Sequence, residues 1–516
     1  MYIINKILFF GVTTFLLMAV LQIHAQTIGD YRSKISGNWN VAATWETWNG
    51  TSWIVSGTPS SANQNITIQN GHIVTITANV TIDQTTILAG GKVILSAGTL
   101  TIANGTGTDF IIAGIYERTS ISTSITISAG ANISCSSGGL YTHKVAGGSV
   151  PTITWDNGSV LRLDSSALSN LNQSFWNVEV TGGNASSLST DNTSRTMTIR
   201  NDFKLQGGNF YLKNGGLSGG THVIRVQGQY LESGGSFNWN SSSSDNTSVL
   251  KIEVEKDLIV SGGAWSGFVS STDCNSGVYF LGTGEQTYST ILEHNATGAV
   301  RNRFYYKTTG GPTALHEIYN GSIAQFSING TCGTIVGFSP WPTSGSLLQT
   351  FTINNTSGVT LRDNRTINDT LYRTKGSITL SSSTITYASN AALAYNGTVA
   401  INTENAEFPL SNGPKHLIIN NNSGVTLHSD RTIAGNLHFQ NGLLNTGSCI
   451  SATNNTMLVL ASGSSVTGAN NNRYVNGILR KIGNTAFTFP IGIMVSMHQS
   501  VFLHLLILVT ILQLVI

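Results

Sequence analysis

Three acidic residues alternate along a short stretch of the chain: Glu253, Glu255 and Asp257. On a β-strand, side chains two positions apart share one face, so these carboxylates would project together. Clustered carboxylates can hold a cation, and they can accept hydrogen bonds from sugar hydroxyls. Lys251 and Lys256 flank the group, however, which is more typical of a solvated strand face whose charges are paired. We therefore expect a salt-bridged face here.

A serine in a glycine-rich segment is the second candidate for chemistry. The segment Gly216-Leu217-Ser218-Gly219-Gly220 fits the GxSxG pattern of serine hydrolases, in which a helix follows the nucleophile directly. Here another glycine and β-branched residues follow, so we expect a plain turn. The sequence contains no HExxH, GxxxxGK[ST] or EF-hand motif.

The remaining titratable residues do not define a site. His316-Glu317 has no second histidine at the helical offset, and the other histidines are scattered singly. Asp363, Asp369, Glu404 and Glu407 lie near repeated segments, but the sequence does not establish which of them pair at acid/base distance. We assign no catalytic, cofactor-binding or metal-binding residue, and we expect no cofactor.

The four cysteines do not form a metal-binding pattern. Cys135, Cys274, Cys332 and Cys449 lie far apart and include no CxxC pair, which argues against a zinc site. Free cysteine is among the most buried residue types, so we favour buried thiols over disulfides. The sequence is compatible with buried free thiols and with disulfides.

Composition bears on the partners of the chain. Only 10% of residues are charged, against about 25% in an ordinary globular protein, so surface polarity comes from hydroxyls and amides. The net charge of +2 creates no long-range field. Nucleic acid and anionic membrane are therefore not expected partners.

A glycine-punctuated strand unit recurs along the chain. Glycine pairs at Gly207-Gly208, Gly234-Gly235 and Gly262-Gly263 lie about 27 residues apart, and each follows a short alternating strand. This spacing is typical of stacked coils whose inner rows of Val, Ile, Leu and Phe are buried by the neighbouring coils. We predict an all-β protein, a β-solenoid that is most simply a right-handed parallel β-helix, with coils over residues 79–340.

A second, longer repeat marks residues 341–492. The segment Ile353-Asn354-Asn355-Thr356-Ser357-Gly358-Val359-Thr360-Leu361 recurs as Ile419-Asn420-Asn421-Asn422-Ser423-Gly424-Val425-Thr426-Leu427, and Arg365-Thr366-Ile367 recurs as Arg431-Thr432-Ile433. The copies, near 351–380 and 417–446, are 66 residues apart (424 minus 358). Each interval is long enough for two to three coils.

The region 26–78 is predicted to be an N-terminal capping module rich in tryptophan. Trp39, Trp45, Trp48 and Trp53 form its aromatic group. Indole faces stack on flat apolar surfaces, so these residues are candidate glycan contacts. The alternative, which we favour, is a cap that covers the core and edge strands of the first coil.

The two ends of the sequence have their own signals. Residues 1–25 have one early cation, Lys6, an apolar run and Ala25 before a cleavable junction, the layout of a secretory signal peptide. Residues 493–516 turn abruptly apolar. This tail is either a membrane anchor or the product of a frameshift after Gly492. The second alternative arises because the codons of the tail, translated in a shifted reading frame, would encode residues more like those of the preceding β-chain.

Three passages of the sequence have a recognisable pattern: Ser36-Gly37-Asn38-Trp39 with Thr44-Trp45, Tyr395-Asn396-Gly397 through Gly413-Pro414, and Val475-Asn476-Gly477 through Gly492. They resemble the large secreted β-repeat surface proteins of Bacteroidetes-type bacteria that are exported by the type IX secretion system. The resemblance implies a cell-surface or secreted location. Members of that family carry a C-terminal β-sandwich sorting signal, which has no counterpart in this sequence, in agreement with a shifted frame.

Three functions remain open at this point. The first is a non-enzymatic exported adhesin or structural stalk that contacts extracellular polysaccharide or a neighbouring cell surface. The second is a polysaccharide lyase or glycoside hydrolase, by analogy with other β-helices. The third is the non-catalytic part of a truncated multidomain surface protein. A membrane partner is expected only if the apolar tail at 493–516 belongs to the protein and is not a frameshift product.

Overall fold

The computed structural model describes residues 26–514, apart from 167–168, 184–185, 243–244, 246, 267–274, 292–303, 308, 322–337, 341–347, 357, 362–363, 381, 448–454, 494–495 and 503–510. The signal peptide predicted at 1–25 therefore lies outside the described residues, as does much of the apolar tail. Within the described part the chain is all-β, and its single helical segment is the 3-10 turn Ala42–Thr44.

One long parallel sheet runs through the molecule and joins successive coils. Its strands are Gly37–Asn38, Ile73–Ile76, Lys92–Leu95, Ile115–Arg118, Leu140–His143, Val160–Leu163, Asn177–Val180, Ser186–Ser189, Phe203–Leu205, Asn209–Lys213, Tyr230–Asn240, Leu258–Ser266, Glu285–Thr290, Ala314–Gly321, Leu348–Asn355, Thr370–Lys375, Ala392–Tyr395, His416–Asn420, Asn436–Asn441 and Ser465–Thr467.

Shorter sheets form the other faces of the coils. In the first half they comprise Tyr31–Ser33, Trp45–Trp48, Trp53–Ile54, Ile66–Ile68, Thr85–Ile87, Phe110–Ile112, Ile133–Cys135 and Thr154–Trp155; then Val80–Ile82, Thr99–Ile102 and Ser124–Ile127; then Ser174–Phe175, Arg195–Ile199, Thr221–Val226, Val249–Val254, Gly277–Phe280, Phe304–Lys307 and Phe338–Pro340.

The second half follows the same plan. Its short sheets comprise Val359–Leu361 with Ile378–Leu380; Arg365–Ile367 with Ile385–Tyr387; Ile401–Asn402, Val425–Thr426, Leu444–Asn445, Val475–Asn476, Phe487–Ile493 and Ser496–Phe502; and Arg431–Ile433, Leu458–Leu460, Leu479–Ile482 and Ile511–Leu514. Together with the long parallel sheet, these sheets confirm the predicted all-β, solenoid-like architecture.

The glycine unit corresponds to one coil. Phe203 pairs in register with Tyr230, and Tyr230 pairs with Leu258, so the repeat advances the chain by one strand of the long sheet. The glycine pairs stack on one another: a Cβ on Gly235 would lie 2.6 Å from the carbonyl oxygen of Gly208. The motif is glycine because the backbones of adjacent coils meet there.

The longer repeat is also confirmed as a structural unit. Ile353 pairs with Arg373, Arg373 with Tyr395, and Tyr395 with Ile419, so three coils separate the two copies. Ile353 and Ile419 are both fully buried. The 66-residue interval is therefore three coils long.

Side chains at the coil corners tie each coil to the next. The Asp202 carboxylate accepts a hydrogen bond from the backbone N–H of Gln229, at 2.9 Å, one coil further on. Asp257 accepts the N–H of Thr287 in the same way, at 2.8 Å. These contacts satisfy backbone donors that would otherwise be left at the bends between strands.

The first coil is closed by an antiparallel cap. Tyr31–Ser33 pairs antiparallel with Trp45–Trp48, which pairs antiparallel with Trp53–Ile54. The later part of the predicted 26–78 module is different, because Ile66–Ile68 and Ile73–Ile76 pair in parallel with the following coil. A turn at Asn70-Gly71 connects these two strands, but they belong to different sheets and do not form a hairpin.

Candidate functional site

The four tryptophans of the cap divide into two pairs. Trp39 and Trp45 are 2% and 0% exposed, and their indole N–H groups donate to the carbonyl oxygens of Pro59, at 3.0 Å, and Trp39, at 2.8 Å. Their ring centroids are 4.7 Å apart. This pair belongs to the core of the cap and has no face open to a sugar, so the glycan-contact prediction does not hold for Trp39 and Trp45.

The other pair lies near the surface. Trp48 and Trp53 are half-buried, with ring centroids 5.6 Å apart. The Arg32 guanidinium covers Trp53, 4.1 Å from the ring centroid, and also pairs with Glu46 at 2.6 Å. Trp48 and Trp53 remain the candidate glycan contacts of the cap, although a cation occupies one face of the second ring.

The alternating acids are engaged by neighbouring coils. Glu253 pairs with Arg225 at 2.7 Å, Glu255 accepts a hydrogen bond from Gln227 at 3.4 Å, and Asp257 accepts one from Gln229 at 2.9 Å. Each partner comes from the preceding coil. The predicted salt-bridged face is therefore present in part: Glu253 forms a salt bridge, and Glu255 and Asp257 accept hydrogen bonds from neutral amides.

The acids near the repeat include one buried cluster. The Arg373 side chain points into the core, where its guanidinium donates to Glu407 at 2.5 Å and to Glu404 at 2.8 Å. The Tyr395 hydroxyl also donates to Glu407, at 3.0 Å. Burial raises the pKa of Glu407, and the Arg373 guanidinium opposes that rise. Asp369 lies apart from this cluster and accepts from the Thr370 hydroxyl, while Asp363 lies outside the described residues.

Arg373 explains why the Glu407 cluster exists. Its register partner on the preceding coil is Ile353, and its partner on the following coil is Tyr395. A cation therefore occupies a position in the inner row that core residues fill on the adjacent coils. The loop after Ile401–Asn402 supplies Glu407, which is fully buried, to neutralise it. The arrangement anchors this loop to the coil, and its carboxylates are committed to that contact.

The GxSxG segment is an irregular loop, which agrees with the expectation that it is no nucleophile elbow, although it is not the turn that was predicted. The residues after it form the strand Thr221–Val226, so no helix follows Ser218. His316 also belongs to a strand, where its Nδ1 lies 3.0 Å from the Thr350 hydroxyl. Among the described residues there is no cluster of three or more histidine, cysteine or acidic side chains suited to a metal.

Cys135 is the cysteine whose surroundings are described. It is a free, fully buried thiol on the strand Ile133–Cys135, and burial raises its pKa to about 12. A thiol held in this protonated state is a poor nucleophile and metal ligand. The other three cysteines lie outside the described residues.

Asparagine side chains form ladders on the outside of the second half. The amide of Asn441 donates to Asn420 at 2.7 Å, and Asn420 in turn donates to Asn396, so three successive coils each contribute one amide. A second ladder joins Asn476 to Asn445 at 2.9 Å. Parallel in-register strands bring like residues together in this way.

Next to the first ladder lies an open cleft of about 380 Å³ that we call the asparagine cleft. Asn441 belongs to both the ladder and the cleft. Of the lining residues, Asn422, Asn441 and Asn472 are exposed. The full lining is Asn422, Asn441, Gly442, Asn470, Asn472 and Arg473.

Arg473 is the charged residue of this cleft. Its Nη1 donates to the Gln440 carbonyl oxygen at 2.7 Å, which fixes the guanidinium, and the other two guanidinium nitrogens have no hydrogen-bond partner within the described part of the chain. Amides offer both donors and acceptors, and a guanidinium offers a fork of donors that matches a carboxylate. The cleft can therefore bind hydroxyl groups and carboxylates.

Sequence reasoning did not single out these asparagines or Arg473. The Ile-Asn-Asn repeat contains Asn420, but only the coil register shows that Asn441 lies beside it. The run Asn470-Asn471-Asn472-Arg473 was the available signal, since polar amides cluster there without a strand between them.

Comparison with protein-family models, with curated proteins and with solved structures gave no match for this chain. No helix among the described residues has the length and apolar character needed to cross a bilayer.

Proposed function

We propose that this protein is a non-enzymatic, exported β-solenoid that serves as a cell-surface adhesin or structural stalk and contacts extracellular polysaccharide through the asparagine cleft. The observation that carries the proposal is the combination of the outward asparagine ladders with the open cleft beside them. A row of amides repeated from coil to coil offers equivalent hydrogen bonds to successive units of a polymer.

The charge of the cleft favours one class of polysaccharide ligand. Arg473 is the charged side chain of its lining, and no carboxylate lines it. A polysaccharide that carries carboxylates, such as a polyuronate, is therefore favoured over a neutral glucan. Because the cleft is open to solvent, the attraction should weaken as salt is raised.

The alternative of a lyase or hydrolase has less support. Glycoside hydrolysis needs two carboxyl groups at a defined separation, and a lyase would need clustered acids or a calcium site with a basic residue nearby. Glu253, Glu404 and Glu407 are each paired with an arginine, and the described residues hold no cluster of three or more acidic, histidine or cysteine side chains suited to a metal. The third reading, a piece of a larger surface protein, is compatible with the proposed role.

Affinity electrophoresis of the purified chain in gels containing polyuronate or neutral glucan tests the proposal. We expect retardation by polyuronate that falls about tenfold or more for Arg473→Ala with Asn441→Ala, since a charge-assisted hydrogen bond contributes about 1.5–3 kcal/mol. Arg473→Lys should recover only part of the retardation, because lysine lacks the planar fork.

The control is Asn104→Ala, which removes an exposed amide from a distant coil and should leave retardation unchanged. Equal retardation of the cleft variant and the native chain would contradict the cleft as the contact site. Release of reducing ends or unsaturated products from either polymer would instead support the enzymatic alternative.

A further inference from the structure

A buried cluster of four polar side chains lies away from the proposed contact site. Lys213 ends the strand Asn209–Lys213, and Asn240 ends the neighbouring strand Tyr230–Asn240. The two are register partners on adjacent parallel strands, one coil apart. They are 0% and 1% exposed, and the preceding residues Leu212 and Trp239 are buried as well.

Asp245 lies between these two side chains. Its Oδ2 is 2.6 Å from the Lys213 Nζ and 2.9 Å from the Asn240 Nδ2, so one carboxylate oxygen contacts both the amine and the carboxamide. The side chains of Lys213 and Asp245 are completely inaccessible to solvent. Ser248 completes the cluster, with its hydroxyl 2.6 Å from both the Lys213 Nζ and the Asp245 Oδ2.

Three further contacts orient the reacting groups. The Lys213 Nζ also donates to the backbone carbonyl oxygens of Leu217 and Gly219, which hold it in place at the end of its side chain. The backbone N–H of Ser242 donates to the Asn240 Oδ1 at 3.2 Å. A donor in that position would stabilise negative charge developing on the carboxamide oxygen.

We propose that Lys213 and Asn240 form an intramolecular amide bond, with Asp245 carrying the protons. This inference is independent of the polysaccharide-contact role. An amine, a carboxamide and a shared carboxylate held together out of contact with bulk solvent are the groups that such a condensation requires, and their fixed proximity replaces an external catalyst.

The step balances without an oxidant or a co-reactant. The Lys213 ammonium gives one proton to Asp245, and the free amine attacks Cγ of Asn240. The Nζ–Cγ bond forms and the Cγ–Nδ2 bond breaks, while Asp245 passes its proton to Nδ2. The second proton released by the attacking nitrogen leaves with the departing ammonia as ammonium.

The bond would tie two adjacent coils covalently. It would close the loop from residue 213 to residue 240, which reduces the freedom of the unfolded chain in the same way as a disulfide. Unlike a disulfide, it would survive reducing conditions. For a stalk under tension, a covalent link between coils prevents their separation at this point.

Mass spectrometry of the purified, reduced chain tests the proposal directly. We expect an intact mass lower by one ammonia than the mass calculated from the sequence. Proteolysis should yield a branched peptide that joins the segment containing Lys213 to the segment containing Asn240. An unchanged mass with ordinary tryptic cleavage after Lys213 would overturn the proposal and leave a simple buried ion pair. A loss of water with a branch to Asp245 would also overturn it, because the acyl partner would be wrong.

Variants separate chemistry from folding. Asn240→Asp should lose one water in place of one ammonia and reach the same product mass as the native chain, since both give the same amide. Asp245→Ala should leave Lys213 unlinked while retaining a native-like circular dichroism spectrum. The matched control Lys251→Ala removes a half-exposed lysine on a nearby strand and should still lose one ammonia. Branched peptide in Asp245→Ala at the native level would contradict the role of the carboxylate.

Discussion

Gly376 and Gly442 occupy the same place in the two copies of the repeat. Each has a positive φ, +82° and +75°, and a Cβ on either would lie 1.8 Å from a carbonyl oxygen, that of Asn355 or of Asn421. Asn355 and Asn421 are themselves equivalent, 66 residues apart (421 minus 355). The two copies thus share a specific backbone contact between adjacent coils as well as a sequence.

This contact predicts the cost of adding one methyl group. Gly442→Ala should destabilise the protein by about 2–5 kcal/mol, because the left-handed backbone costs about 1–2 kcal/mol and the forced separation of coils about 1–3 kcal/mol. The matched control is Gly463→Ala, at φ +81° with open space around it, which should show the backbone cost alone. Urea unfolding monitored by circular dichroism measures the difference. Equal midpoints for the two variants would rule out the close approach.

Glu232 predicts a pH dependence of stability. It is 1% exposed in an inner row between Leu205 and Val260, and burial raises its pKa to about 8. Below about pH 4.5 both folded and unfolded states hold the proton. As pH rises from about 4.5 to about 8, the unfolded state loses its proton first, so stability falls over that window.

The substitution Glu232→Gln should remove this dependence. Its side-chain oxygen can accept the hydrogen bonds that Tyr230, at 2.9 Å, and Trp265, at 2.6 Å, give to the carboxylate. We expect the melting temperature of the variant, relative to the native chain, to be higher at pH 8.5 than at pH 4.5. A difference that is constant across these pH values would show that Glu232 is ionised in the folded protein.

The Arg373–Glu407 pair predicts an asymmetry between single and double substitutions. Glu407→Gln removes the charge that neutralises a buried guanidinium and should cost about 3–5 kcal/mol. Arg373→Met with Glu407→Leu removes both charges and should cost less than Glu407→Gln alone or Arg373→Met alone. Denaturant unfolding of the three variants measures this. Glu253→Gln, on a salt-bridged surface strand, should cost about 1 kcal/mol or less.

The tryptophan pairs of the cap predict separable effects. Trp45→Ala should cost about 3–5 kcal/mol, because a fully buried indole and its hydrogen bond to the Trp39 carbonyl oxygen are lost. Trp48→Ala removes a half-buried ring and should cost less. If the outer pair contacts sugar, Trp48→Ala should weaken polysaccharide retardation at a temperature where the variant stays folded. Unchanged retardation would confine the contact to the asparagine cleft.

The periodic features of the fold could be predicted from the sequence. Glycine pairs at coil spacing, the 66-residue repeat and the alternation of β-branched residues predicted strands and coils, because each reports a local period that the backbone must follow. A salt-bridged face at Glu253, Glu255 and Asp257 was predicted from the flanking lysines. The actual partners, Arg225, Gln227 and Gln229, come from the coil before, and of the three acids Glu253 is the one in a salt bridge.

The contacts between coils could not be predicted from the sequence. Whether Asn441 lies beside Asn420, or Lys213 beside Asn240, depends on how many residues each loop inserts between strands, and these numbers vary along the chain. The tryptophans show the same limit, since four similar residues within 15 positions (53 minus 39, plus one) divide into a buried and a half-exposed pair. Their separation follows from the antiparallel pairing of the cap.

By itself, the sequence determined that this chain forms stacked β-coils, because strand propensity and glycine spacing act locally and repeat. Only the tertiary structure decided which side chains meet across coils: the amide ladders, the Arg373–Glu407 pair and the Lys213–Asn240–Asp245 cluster. The physical reason is register. A shift of one residue between parallel strands turns an inward side chain outward, and that register is set by the packing of the whole stack.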